Sequence, residues 1–326
     1  MTGIFYLDWA ILAVSLFNTI LLLWIGLTVF LNAERRVWGI WLAAGGLILG
    51  SVFFISHTAI IGHGISPITP GLNFWWQIGW IPIAALPLAW YVVMLWYTGY
   101  WQPPEGTQAV RSRLHRRHRP WLILVLAAGL LGVSSLLIFN PLPAFSQLSA
   151  APSGAIPTLG EIPLLVLAYP VYTLLCIGLS LDALRRPEPS GRWMGGLARD
   201  RARGWLMAVS VILLAVSLLV GWVLLWMANR PDQTLFSPGS IGVIGWFDLV
   251  IETLIAAAVI LLGQAVVTYE IFTGKSLPRR GLSQYWRRAL ILAGGFSLVL
   301  AWSLTIQLRP IYSILLSMLL MVVFYA

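Results

Sequence analysis

The stretch IGVIGWFDLVIETLIAAAVILLGQAVVTYEIF, Ile241 to Phe272, decides the fold. About 20 apolar residues are enough to cross the hydrocarbon of a bilayer as a helix, and this run is longer than that. It also carries Asp248 and Glu252 one turn apart. Residues at i and i+4 share a helix face. Ionisable groups inside a span are costly, so they are functional candidates by default. Asp248 is interfacial if the span begins at Trp246, whereas Glu252 lies within the membrane in either case.

The rest of the chain repeats this pattern. Of its 326 residues 59% are hydrophobic and only 10% charged, against about a quarter charged in a soluble domain. The apolar residues fall in long blocks, so the bilayer is the solvent. The sequence predicts an all-α, polytopic transmembrane bundle in a single domain, 1–326. Its spans are placed near 9–31, 37–59, 74–97, 121–139, 162–181, 205–227, 246–272, 289–308 and 311–326. That is nine spans, or eight if the last hairpin is miscounted. The last run stops after 16 residues with no polar flank, which predicts that this membrane part belongs to a longer chain. The first residues, MTGIFYLDWA, lack a basic region and a small-residue cleavage site, so they read as a retained span.

Charge fixes the expected orientation. Of the 20 Lys and Arg, 18 fall in alternate connections, and only Arg230 and Arg309 fall on the other side. Positive charge stays inside, so the N-terminus is expected outside and the arginine-bearing connections in the cytoplasm of a bacterial inner membrane. The net charge of +9 then needs no nucleic acid. The third span begins with Trp75, Trp76 and Trp80 and ends with Trp90, Trp96, Tyr97, Tyr100 and Trp101. These are the two interfacial belts of a spanning element.

In this topology six polar side chains share the outer third of the membrane: His57, His63, Gln77, Glu161, Asp248 and Glu252. A shared outer cavity built from them could take a cation, a small polar ligand or a metal ion, since imidazole and carboxylate suit borderline ions. Two close carboxylates at low dielectric also tend to share a proton, which keeps proton coupling open. No metal site and no cofactor is assigned from the sequence. A bis-His haem needs ligands facing across a bundle, whereas His57 and His63 sit at one end of one hairpin. His115 and His118 lie among Arg116, Arg117 and Arg119 and read as a solvated or headgroup-facing patch. Lys275, the one lysine, is cytoplasmic and cannot hold a midplane Schiff base. Cys176, the one cysteine, can form neither an intrachain disulfide nor a thiolate cluster. GxxxxGK[ST], HExxH, GxSxG and CxxCH are absent, so no catalytic residue is assigned.

Where the opening stretch leaves the membrane it reads VTYEIFTGKSLPRRG, Val267 to Gly281, ahead of two final spans. Glu270 here is part of an ordinary helix stop or of a rigid junction to a cytoplasmic partner. On this phrase and the hydrophobic architecture, the chain resembles the N-terminal multi-spanning sensor regions of bacterial histidine kinases and related signalling proteins. That resemblance implies a signal-transducing module followed by GAF or PAS modules and a kinase core, none of which is in these residues. Implied partners are membrane lipids, a small ligand, a cytoplasmic signalling domain or protein, and a second copy of the chain. The alternatives are a proton- or cation-coupled transporter and a structural subunit of a larger membrane complex.

Overall fold

The computed structural model describes residues 2–32, 37–63, 70–101, 113–138, 158–159, 162–187, 196–228, 238–269, 279–306 and the single positions 315, 317, 318 and 321. Among them are eight helices: α1 (Phe5–Asn32), α2 (Trp38–His63), α3 (Pro70–Thr98), α4 (Arg113–Ile138), α5 (Leu164–Arg185), α6 (Gly196–Ala228), α7 (Pro238–Tyr269) and α8 (Arg279–Thr305). A minimal antiparallel ladder, β1 (Thr158–Leu159) with β2 (Ile162–Pro163), precedes α5. Every helix but α5 is counted as long and apolar enough to cross a membrane, seven in all, the architecture of a multi-pass membrane protein. The expected ninth span, 311–326, lies almost wholly outside the described residues.

The first eight expected spans each coincide with a helix; α7 begins earlier, at Pro238, and three other helices extend further, into basic sequence. α4 begins at Arg113 and absorbs RLHRRHR, α6 begins at Gly196 and absorbs GLARDRARG, and α8 begins at Arg279. Arginine is a good helix former, and its long stem lies along apolar surface while the guanidinium stays wet. The basic connections therefore continue the helices.

Packing follows a ring. α1 packs on α2, α2 on α3, α3 on α5, α5 on α6, α6 on α7, and α7 returns to α1. α4 lies outside the ring against α3 and α5, and α8 lies outside against α1 and α7. The largest buried cluster among the described residues joins α1, α2, α3, α5, α6, α7 and α8, with Leu21, Ile25, Ala44, Met94, Leu184, Leu206, Ala265 and Ala293 in it. Exposed tryptophans form two girdles: Trp38, Trp41, Trp101 and Trp121 at one end, Trp222, Trp246 and Trp302 at the other. Edge-on pairs brace each girdle, Trp38 with Trp101 and Trp222 with Phe247. Indole rings in two bands fit two membrane–water interfaces.

Local signals set the ends. Thr2 donates its amide to the Asp8 carboxylate at 2.6 Å, an anion in the first turn of α1 where the helix dipole favours it. α3 runs unbroken through Pro82 and Pro87. It stops at Gly99, whose φ of 97° is left-handed. The Gly99 and Tyr100 amides then donate back to the Trp96 and Leu95 carbonyls, the paired return bonds of a glycine C-cap.

Two glycines carry close contacts with ring faces. A Cβ on Gly39 would land inside the Trp96 ring, and one on Gly263 inside the Trp286 ring. By contrast, a Cβ on Gly46 would have ordinary room, with Ala89 Cβ at 3.8 Å. Gly39→Ala is therefore expected to cost about 1–3 kcal/mol by overpacking, read as a lower thermal midpoint in detergent, while Gly46→Ala stays close to the parent protein.

Candidate functional site

Ring closure leaves a lumen. A cavity of about 290 Å³ lies between α1, α2, α3, α5, α6 and α7. Its walls are mostly aliphatic and aromatic, including Leu22, Phe53, Trp90, Val209 and Leu262, and no lysine or arginine is among its lining residues. His57, Asp248 and Glu252 stand at one end, and Leu42 and Leu262 lie toward the other ends of their helices.

Helix geometry explains the placement. His57 occurs in the last two turns of α2 and stacks on Phe53, one turn back, at 5.9 Å between ring centres. Asp248 and Glu252 lie on one face of α7, and that face looks across the lumen because α7 packs between α1 and α6. α2 and α7 are not neighbours in the ring; α1 sits between them. Their link is made by side chains: His57 Nε2 lies 3.3 Å from Asp248 Oδ1, and His57 Nδ1 lies 2.9 Å from Glu252 Oε1.

His57 and the Ser15 hydroxyl are within reach of the Glu252 carboxyl. Glu252 is only 2% exposed. The short approach from His57 lacks hydrogen-bond alignment, so both Glu252 oxygens and His57 Nδ1 are without a directed partner. α1 frames the site from the side. Asn18, fully buried, donates its Nδ2 to the Glu252 backbone carbonyl at 3.1 Å, and its own Oδ1 is unpartnered. Ser15 exchanges a hydrogen bond with Thr58 at 2.8 Å, next to His57 in sequence. An imidazole facing a carboxylate oxygen at each ring nitrogen satisfies both only when both nitrogens carry hydrogen. With both nitrogens protonated and both carboxyls ionised, the arrangement would hold a positive charge between two negative ones, in a place where an unpaired charge is expensive.

Three of the six expected site residues are brought together: His57, Asp248 and Glu252. Gln77 is half-buried on α3 and does not line the cavity. The His63 side chain and all of Glu161 and Glu270 fall outside the described residues. Asn18 and Ser15 are the residues that sequence reasoning missed, although polar interruptions in an otherwise apolar first span were the available signal.

A second polar cluster joins α3, α4 and α5 near the opposite girdle. The Tyr91 hydroxyl and His118 Nδ1 are 2.9 Å apart, and His118 Nε2 faces Asp182 Oδ2 at 3.3 Å. Arg117 donates to Asp182 Oδ1 at 2.8 Å. His118 is 1% exposed, which corrects the expectation of a solvated patch. α4 buries this histidine because residues 114, 118, 122 and 125 follow helical spacing and turn inward together.

Compared with protein families, curated proteins and solved structures, the chain matches none of them.

Proposed function

We propose that this chain is a membrane sensory module, and that its stimulus acts where His57 of α2 meets Asp248 and Glu252 of α7. The observation that carries this reading is the cross-lumen link. Two helices that do not pack as neighbours are held together by a few charged atoms, so a ligand or charge change there biases their separation. A stimulus shifts such an equilibrium only by interacting differently with the two arrangements. A buried charge cluster is well suited to that, because adding or removing one charge at low dielectric changes its energy strongly.

α7 supports an output at the other membrane face, since it spans from the site at Asp248 to Tyr269 without a break. Beyond Tyr269 the sequence continues into EIFTGKSLPRRG, part of the phrase on which the resemblance to kinase sensor regions rests. In this reading the N-terminus is outside, the arginine-bearing helix extensions are cytoplasmic, nine spans cross a bacterial inner membrane, and the output is a cytoplasmic signalling domain or partner. Catalysis is not assigned to these residues.

The test is a distance. Spin labels at Ile55 and Val250, exposed positions on α2 and α7, are introduced in a Cys176→Ala background, the native cysteine being buried. Glu252→Gln is expected to move or split the distance distribution by a shift on the order of 1–2 Å. An unchanged distribution would remove the proposed switch. A proton- or cation-coupled transporter is the second reading, favoured by the position of the acids at the head of the lumen. Cation-dependent uptake into liposomes that is abolished by Glu252→Gln would decide for it.

A further inference from the structure

We propose that His57, Asp248 and Glu252 bind one divalent transition cation of the zinc class, and that this cation is the ligand of the sensory site. The inference rests on the reading above for what the ion does and on the geometry below for where it binds.

The donor set comes first. One imidazole nitrogen and one oxygen from each carboxylate lie within 4.8 Å of one another. Ligands about 2.0–2.2 Å from a tetrahedral ion are separated from each other by roughly 3.3–3.6 Å, so small rotations of two carboxylates close the set. The helices supply these donors from opposite sides of the lumen, which explains why no short metal motif announces them in the sequence. The three residues give three ligands, and the fourth position faces the cavity. Three protein ligands with one open position describe a site that exchanges its fourth ligand.

Unsatisfied atoms supply the second, independent observation. Among the described residues, both oxygens of Glu252, His57 Nδ1 and the Oδ1 of fully buried Asn18 lack a well-aligned hydrogen bond, although Glu252 Oε1 and His57 Nδ1 face each other at 2.9 Å. Three of these four atoms are oxygen acceptors, and Glu252 is almost completely enclosed. A buried acceptor without a donor or cation costs free energy. Charge points the same way. Two carboxylates face one imidazole, and neither α1, α2 nor α7 contains a lysine or arginine. Even with the imidazole protonated the cluster is one charge negative. A divalent ion supplies the missing charge and displaces the proton that otherwise bridges the carboxylates through His57.

Ligand type narrows the ion. Imidazole with carboxylates suits zinc, manganese or ferrous iron. Calcium and magnesium prefer all-oxygen sites. The only cysteine, Cys176, is buried in the separate α3–α4–α5 cluster, so a thiolate-seeking ion finds no ligand here.

The experiment uses the full chain purified in detergent, stripped with chelator, and loaded with Zn²⁺ or, in parallel, Mg²⁺. Metal is counted after passage through chelating resin, and the Ile55–Val250 distance is read on the same samples. Expected are one retained zinc per chain, no retained magnesium, and affinity lower by about 100-fold or more in His57→Ala and Glu252→Gln, since even losing an outer partner of a ligand costs 10–100-fold. Asp248→Asn, at a more exposed position, serves if either variant fails to fold and should show the same loss. His115→Ala, on the far side of the molecule, keeps full retention. No retained zinc, or retention unchanged by the site variants, overturns the metal site. Zinc retained at the site without any distance change upholds the metal site and removes the sensory reading. Absence of zinc binding with a distance change in Glu252→Gln does the reverse.

Discussion

His57→Ala is expected to destabilise the protein by about 3–5 kcal/mol, the cost of removing one partner from a buried ion cluster. The loss exceeds that of a deleted imidazole contact because of what stays behind. Glu252, enclosed by the bundle, and Asp248, one turn away, would face each other without a cation. Burial of that charge, together with like-charge repulsion, is the main penalty. A denaturant titration in mixed micelles reads it as a lower midpoint with an unchanged slope. His57→Gln should recover part of the loss, since an amide can donate to one carboxylate. The loss of His57→Ala should be larger if zinc occupies the parent site, because a ligand that binds only the folded parent adds a stabilisation that the variant lacks.

The second large effect is expected at the other girdle. His118→Ala removes a fully packed ring and leaves the Tyr91 hydroxyl, itself wholly buried, without its partner. Unsatisfied buried hydroxyls cost about 1–3 kcal/mol, and the cavity left by the ring adds to this. A combined loss of about 2–4 kcal/mol follows, read in the same titration. Arg117→Ala should do much less, because its partner Asp182 keeps His118 and the arginine itself is on the surface, where single ion pairs contribute little. The two variants thus separate a buried relay from a surface charge pair.

Much of this was legible in the residues themselves. Hydrophobic runs located eight helices, because in lipid every backbone group must be satisfied within the segment and length alone then marks a span. Asp248 and Glu252 stood out in Ile241–Phe272 for the same reason. The joining of His57 to them depended on topology, which put their helices antiparallel and at matched depth. What could not be read was the ring order: no local signal says that α1 sits between α2 and α7. Asn18 and Ser15 were therefore overlooked, although they frame the site from the intervening helix. His118 was misread because its neighbours are arginines. Composition marked the segment as wet, while the helical period turned this one residue inward.

The central claim is that His57 and Glu252 interact directly across the lumen, and a double-mutant cycle tests it most directly. Stabilities of the parent, His57→Ala, Glu252→Ala and the double variant are measured in one mixed-micelle system. Direct coupling predicts that the double variant is more stable than the sum of the single losses implies, by well over about 0.5 kcal/mol, the usual limit of additivity for independent sites. Losses that simply add would mean that the two side chains do not meet, and would contradict the cross-lumen link together with the switch and metal site built on it.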